Sequence, residues 1–290
     1  MNYKPAHRNP VPQALQDGSL LSDIERMGPE FAKALPEISG VTPRRLIRTA
    51  MTDIRRNPEL AECDRASLFS AIMTCAELGL EPGSGMNYVH LIPRENRKLG
   101  VKEVSIIVDY KGLIVLMERG GNVTVDSGII YEKDHCIYKR GTKQCLEIEP
   151  YLGPEDPGEI IATFAIARYK DGSEKIEVKS RREIDFIRDK FQPKNEYARK
   201  YHPWTQHFPS MARKTAIRAL ANYIPKNEHV SRAIEIENSF ERNMALPHLD
   251  IGAISIPAGE KIEDQPESLE SHENSSDDMV SVNNLIGSEK

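Results

Sequence analysis

The 290-residue sequence contains no Gly-Lys dipeptide. A phosphate loop of the G-x-x-x-x-G-K-[ST] type is therefore excluded, and with it an ATP-driven motor of that class. Gly83-x-Gly85 lacks a third glycine and precedes a strand-like run, so the dinucleotide fingerprint fails too. Neither G-x-S-x-G nor H-E-x-x-H occurs. Apolar runs are short: Gly112 to Met117 is about a third of the ~18 residues that cross a bilayer. The opening Met1-Asn2-Tyr3-Lys4-Pro5-Ala6-His7-Arg8 has no apolar stretch to mark it for secretion, so the expected compartment is the cytoplasm. Cysteine is scarce as well. Cys63, Cys75, Cys136 and Cys145 form no C-x-x-C pair, so reduced thiols are expected and no structural zinc. His202 and His207 lie five apart beside a proline, a poor spacing for shared metal ligation. Tryptophan occurs once, at position 204.

Charge is plentiful and unevenly spread. Lys and Arg total 39 against 44 Asp and Glu, a formal net charge of −5. Beyond residue 243, ten acids face two lysines, whereas between Ser180 and Lys226 eleven cations face four acids. An acidic chain thus contains a concentrated basic region.

The pattern divides the chain into three parts. Residues 1–40 hold five prolines and read as an arm, helical in part between Leu20 and Leu35. Residues 244–290 have no aromatic residue and are rich in Glu, Asp and Ser, a composition that cannot offset its ordering entropy and predicts a disordered acidic tail. Within it, Met279 to Ile286 regains some apolar character, enough for docking on a partner.

Residues 41–243 form the expected core. Thr42-Pro43 caps a helix that Pro58 ends, with Leu46, Ile47, Ala50, Met51 and Ile54 on one side. Arg44, Arg45, Arg48, Arg55 and Arg56 occupy the other side. Asp64 caps a second helix that Gly79 closes. Tyr88–Ile92 and Val104–Val108 predict a hairpin with a basic tip, Arg94-Glu95-Asn96-Arg97-Lys98. A short helix from Tyr110 ends at Gly120-Gly121. Strands are predicted over Val123–Tyr131, Cys136–Lys139, Glu159–Tyr169 and Lys175–Val178, the last two joined at Asp171-Gly172. Ser180-Arg181-Arg182-Glu183 is a capping box. A long helix from about Trp204 to Tyr223, kinked at Pro209, and a last one over Glu228–Asn243 complete an α+β fold. Its centre is a mainly antiparallel sheet flanked by helices.

Two constellations carry possible chemistry. Glu177-Val178-Lys179 has the E-x-K form of a Mg²⁺-dependent nuclease, with Asp156 or Glu159 as second carboxylate. A solvated strand face after a D-G turn yields the same pattern. The second lies between residues 199 and 226. On the long helix Phe208, Ala212, Ala216, Ala219 and Tyr223 fall within an arc of roughly 80° and predict the core face, while His207, Lys214 and Arg218 fall within roughly 40° on another side. Arg199, Lys200 and Arg213 add charge, and Tyr201 and Trp204 add aromatic faces. Spaced cations with aromatics suit the phosphates and unpaired bases of a single strand. The arginine face of the first core helix fits a nucleic-acid groove or acids on a neighbouring subunit. It lacks the aromatics favoured at a membrane surface. A scaffold acting through its acidic tail is a third possibility.

Four segments then point to a family. Arg45-Leu46-Ile47-Arg48 through Asn57-Pro58-Glu59-Leu60, Cys75 to Gly83, Asp109-Tyr110-Lys111-Gly112-Leu113, and Trp204-Thr205-Gln206-His207-Phe208 with Met211-Ala212-Arg213-Lys214-Thr215-Ala216 resemble the RecT family of phage recombinases, in order over roughly residues 40–235. The resemblance implies a single-strand annealing protein in a bacterial cell, phage- or prophage-encoded. Such a protein coats single-stranded DNA and pairs it with a complement through an annealed duplex intermediate, without ATP, as a ring or filament of identical subunits. It implies a core like that of the Rad52 annealing proteins. The partners it implies are a 5′-to-3′ exonuclease and the host single-strand-binding protein. No cofactor is expected, with Mg²⁺ at most modulating DNA binding. Carried over by position, Lys111, Arg213, Lys214 and Arg218 would contact phosphates, with Trp204 and His207 close to the groove; Lys200, from the charge pattern, is expected to join them. Arg94, Arg97 and Lys98 would lie as a finger against the strand.

Deleting residues 244–290 should leave annealing of complementary oligonucleotides intact or faster, because ten acids near a cationic groove compete with DNA for it. A fluorescence annealing assay on full-length and truncated chains checks this.

Overall fold

In the computed structural model, which describes residues 18–83, 85–96, 99–119, 123–224 and 228–241, helix boundaries follow the capping residues. Two short helices, α1 (Ser19–Arg26) and α2 (Gly28–Ala34), come first. The Thr42 side chain accepts from the Arg45 amide and opens α3 (Pro43–Arg56). Asp64 accepts from the Ser67 amide at 2.8 Å and opens α4 (Arg65–Leu78), which Gly79 closes in the left-handed region at φ 60°.

The hairpin follows as β1 (Val89–Asn96) and β2 (Val101–Val108), and α5 (Tyr110–Arg119) leaves its end. Next come β3 (Val123–Tyr131), β4 (His135–Lys139), β5 (Cys145–Glu149), β6 (Ile160–Tyr169) and β7 (Glu174–Ser180). The reciprocal Ser180–Glu183 box opens α6 (Arg181–Phe191). The described residues close with α7 (Glu196–Lys200), α8 (Pro203–Gln206), α9 (Phe208–Leu220) and α10 (Glu228–Glu241).

The fold is α+β with antiparallel strands flanked by helices, as the sequence predicts. The strands divide among three sheets, β1-β2, β3-β6-β7 and β4-β5. The chain passes into α5 between β2 and β3, so the first hairpin does not continue into the second sheet. β5 has no counterpart among the predicted strands. The predicted kink at Pro209 is a full break at His207 (φ −136°, ψ 45°), and Pro209 sits in the first turn of α9, where its missing N–H costs nothing.

Residues 19–34, the helical part of the expected arm, pack onto the core. Leu20, Ile24, Met27 and Phe31 are buried in the main core with Leu46 and Ile54 of α3, Leu68 and Ile72 of α4, Ile106 of β2 and Leu116 of α5. Helix α4 lies at the centre, buried on nearly every side, as expected of a helix apolar all round. Helix α9 covers one face of β3-β6-β7, where Thr163 Oγ1 donates to the Ala212 carbonyl at 3.1 Å and the small Ala165 and Ala167 let it come close. A smaller cluster joins Ile184, Trp204 and Ala212. All four cysteines are free thiols, and burial pushes Cys63 up to about 11. The tail beyond 243, with its Met279–Ile286 segment, and Gly120-Gly121 lie outside the described residues, as does the end of the last predicted helix.

Phe31→Ala should lower unfolding free energy by about 3–5 kcal/mol, the range for removing a fully buried ring. A urea titration followed by circular dichroism measures it.

Candidate nucleic-acid interface

The loops that join α4 to β1 and β2 to α5 are held against one another by backbone. The Tyr88 carbonyl accepts from the Asp109 amide at 2.8 Å, and a Cβ on Gly112 would come within 2.5 Å of that same oxygen. Glycine at 112 is thus required by close approach. Asp109 starts α5: its side chain accepts from the Lys111 amide at 3.0 Å and its carbonyl from Leu113. On the other side Gly83 (φ +59°) presses on Asp53 of α3, and the Gly83 carbonyl accepts from Arg56 at 3.4 Å. Arg45 pairs with buried Glu81 at 2.5 Å. The fourth segment arrives through α9, where Arg213 Nη1 donates to the Tyr110 hydroxyl at 3.3 Å and its guanidinium lies 5.6 Å from the Tyr110 ring centre.

His90 of β1 reports how these pieces meet. Burial pulls its imidazole below the ordinary value; Asp109 and Asp53 oppose this, and Lys214 and His207 reinforce it. Asp53 is in turn raised by burial, against His90 and Arg56. Residues from all four sequence segments thus gather around one spot.

On the outward side of this spot, two cations form no ion pair among the described residues. Lys111 is exposed, its ammonium 5.9 Å from the Tyr110 ring, and forms no ion pair among the described residues. Arg213 is half-buried, and its Nε is buried without a hydrogen-bond partner among the described residues. His207 and Lys200 are exposed. On α3 the five arginines face outward as expected, Arg48 and Arg55 among them without a carboxylate partner in the described residues. Exposed cations without ion-pair partners suit an external polyanion.

Several predicted site residues stand elsewhere. Lys214 is not on the surface: its ammonium is buried and paired with the Glu237 carboxylate of α10. Glu237 also accepts from the Val108 amide at 2.7 Å, at the end of β2. Trp204 is 3% exposed, packed with Ile184 and Ala212 and 6.0 Å from Phe208, so it offers no open face. Arg218 is half-buried and donates to Asn238 Oδ1 at 2.7 Å. Arg94 sits within β1 opposite Glu103, because the hairpin strands run longer than predicted; Arg97 and Lys98 lie outside the described residues. Tyr223, placed on the predicted core face, is exposed, with Lys175 4.2 Å from its ring.

The E-x-K residues are engaged separately. Glu177 is buried, contrary to a solvated strand face, and lies 3.7 Å from Arg140. Lys179 pairs with Glu183, Glu159 with Arg181, and Asp156 accepts from the Gly158 amide. Among the described residues, no group of three His, Cys, Asp or Glu is placed to hold a metal ion.

The sequence reading missed Glu237 and His90. The signal for Glu237 was its position: an acid in the apolar stripe of Val230, Ala233, Ile234 and Ile236. Lys214 and Glu237 expose 5% and 2% of their side chains, so removing one partner strands a buried charge. Lys214→Met or Glu237→Gln should each cost about 3–5 kcal/mol, while Lys214→Met with Glu237→Leu should recover most of the loss, read as urea midpoints.

The RecT family model matches residues 44–246, which contain every side chain around His90. Protein RecT of Escherichia coli (strain K12) is 35% identical over 234 residues, covering 79% of this chain and 84% of the relative. The chain belongs to the RecT family, whose members bind DNA and anneal its strands in recombination.

Proposed function

We propose that the protein anneals complementary single strands without ATP, as a ring or filament of many copies, and that Lys111, Arg213, His207 and Lys200 grip the phosphate backbone. The observation that carries this reading is the pair of cations on Tyr110, Lys111 and Arg213, neither matched by a carboxylate among the described residues. Arg48 and Arg55 extend the cationic face along α3. Lys214, Trp204 and Arg218 act from behind it by fixing α9. The absence of a Gly-Lys dipeptide agrees with annealing that uses no P-loop nucleotide.

The mechanism is physical. Backbone contacts hold one strand with its base edges free, and a second strand samples registers through brief pairing. Stacking contributes about 1.4 kcal/mol per base-pair step, so about eight matched steps supply roughly 11 kcal/mol, while an early mismatch forfeits what would follow. Sequence is read by the bases, and the protein need read none. In the cell the strand would come from a 5′-to-3′ exonuclease and would be shared with the host single-strand-binding protein.

Two labelled complementary oligonucleotides should anneal faster with the protein than alone in EDTA with no nucleotide triphosphate. Strand cleavage dependent on added Mg²⁺ would instead favour a nuclease. Lys111→Ala and Arg213→Ala should each flatten the slope of log affinity against log salt by about 0.7 on single-stranded DNA, measured by anisotropy; an unchanged slope removes that residue from the phosphate path.

A further inference from the structure

The only tryptophan is buried, so a grip on unpaired bases needs another aromatic surface. Helix α7 supplies one. None of its five residues is buried, yet it carries Tyr197, 75% exposed, and the next residue after it is Tyr201, 60% exposed. Their ring centres are 5.3 Å apart at 62°. In this edge-to-face arrangement one ring's edge lies against a face of the other, and both side chains stay largely exposed. The two rings contribute nothing to either apolar core.

The platform is held rather than loose. Asn195 Oδ1 accepts from the Tyr197 and Ala198 amides at 2.9 and 3.3 Å, Arg199 Nε donates to the Pro193 carbonyl at 3.3 Å, and Gln206 Nε2 donates to the Lys200 carbonyl at 2.7 Å. The last bond ties α7 to the turn that precedes His207. Gln192 Nε2 donates to Thr205 Oγ1 at 2.8 Å, anchoring the loop's other end. Lys194, Arg199 and Lys200 lie within three residues of one or other tyrosine in the chain and are exposed, with the Lys200 ammonium 5.8 Å from the Tyr201 ring centre. Exposed π-faces set among cations match one chemistry in both parts: a base that has left its stack, and the phosphates on either side of it.

We infer that Tyr197 and Tyr201 form the stacking platform for unpaired bases, continuing past His207 the phosphate path of the proposed single-strand reading, on which this inference rests. Stacking on an aromatic ring tolerates any base, so the platform serves a protein that reads no sequence. It also discriminates: in duplex DNA the base faces are occupied by their neighbours, and only the phosphate contacts remain available.

The test compares oligo-dT with an abasic deoxyribose-phosphate oligomer of equal length, by anisotropy on the full chain at fixed salt. The unsubstituted protein should prefer oligo-dT. Tyr197→Ala with Tyr201→Ala should weaken oligo-dT binding about tenfold per ring and leave abasic binding unchanged. Tyr197→Phe with Tyr201→Phe should retain the preference, since the ring and not the hydroxyl stacks. Unchanged oligo-dT affinity in the alanine variant overturns the platform, as does an equal loss on both oligomers, which would mean damage to the fold or to the phosphate path. Failure of the unsubstituted protein to bind oligo-dT at all overturns the single-strand reading itself, a result distinct from either.

Discussion

An ammonium and a carboxylate, both withdrawn from water, join the last two helices behind the cationic face. Desolvating either charge alone costs several kcal/mol, so Lys214 and Glu237 stay buried only because each has the other. The pair does more than neutralise itself. Glu237 also receives the Val108 amide, at the point where β2 hands the chain to α5. One carboxylate therefore fixes α10 and α9 relative to the residue two before Tyr110. The ring that carries Lys111 and Arg213 is placed by an interaction that never reaches the surface.

Local chemistry made much of this fold legible. Thr42, Asp64 and the Ser180–Glu183 box mark helix starts because a side-chain oxygen beside orphan amides works from sequence neighbours alone. The bounds of β3 and the two-sidedness of α3 were readable for the same reason: each has one wet face and one dry. Helix α9 was misread because it has no fully wet face. The sheet covers one side while α5 and α10 flank others, so an assumed single core arc sent Lys214 to solvent and Tyr223 inward. Trp204 was misread because a small separate cluster, assembled from α6, α8 and α9, claims it. Nothing local announces a partner more than twenty residues away.

Four segments quoted for a family resemblance turned out to share one location, around His90, although some 150 residues separate the first from the last. Net charge would not have found it. The chain is −5 overall, yet salt at physiological strength screens exposed charges beyond about 8 Å, so a strand meets only the local set. Locally that set is Lys111, Arg213 and the α3 arginines other than Arg45, which Glu81 pairs, with the buried lysine subtracted.

The family model's match opens at Arg44, whereas Phe31 and its neighbours on α1 and α2 complete the interior upstream of it. Anyone trimming the polypeptide to its family limits would lift the lid from a greasy socket on the central helix. The edge of the family match and the edge of the packed interior are different places in this molecule.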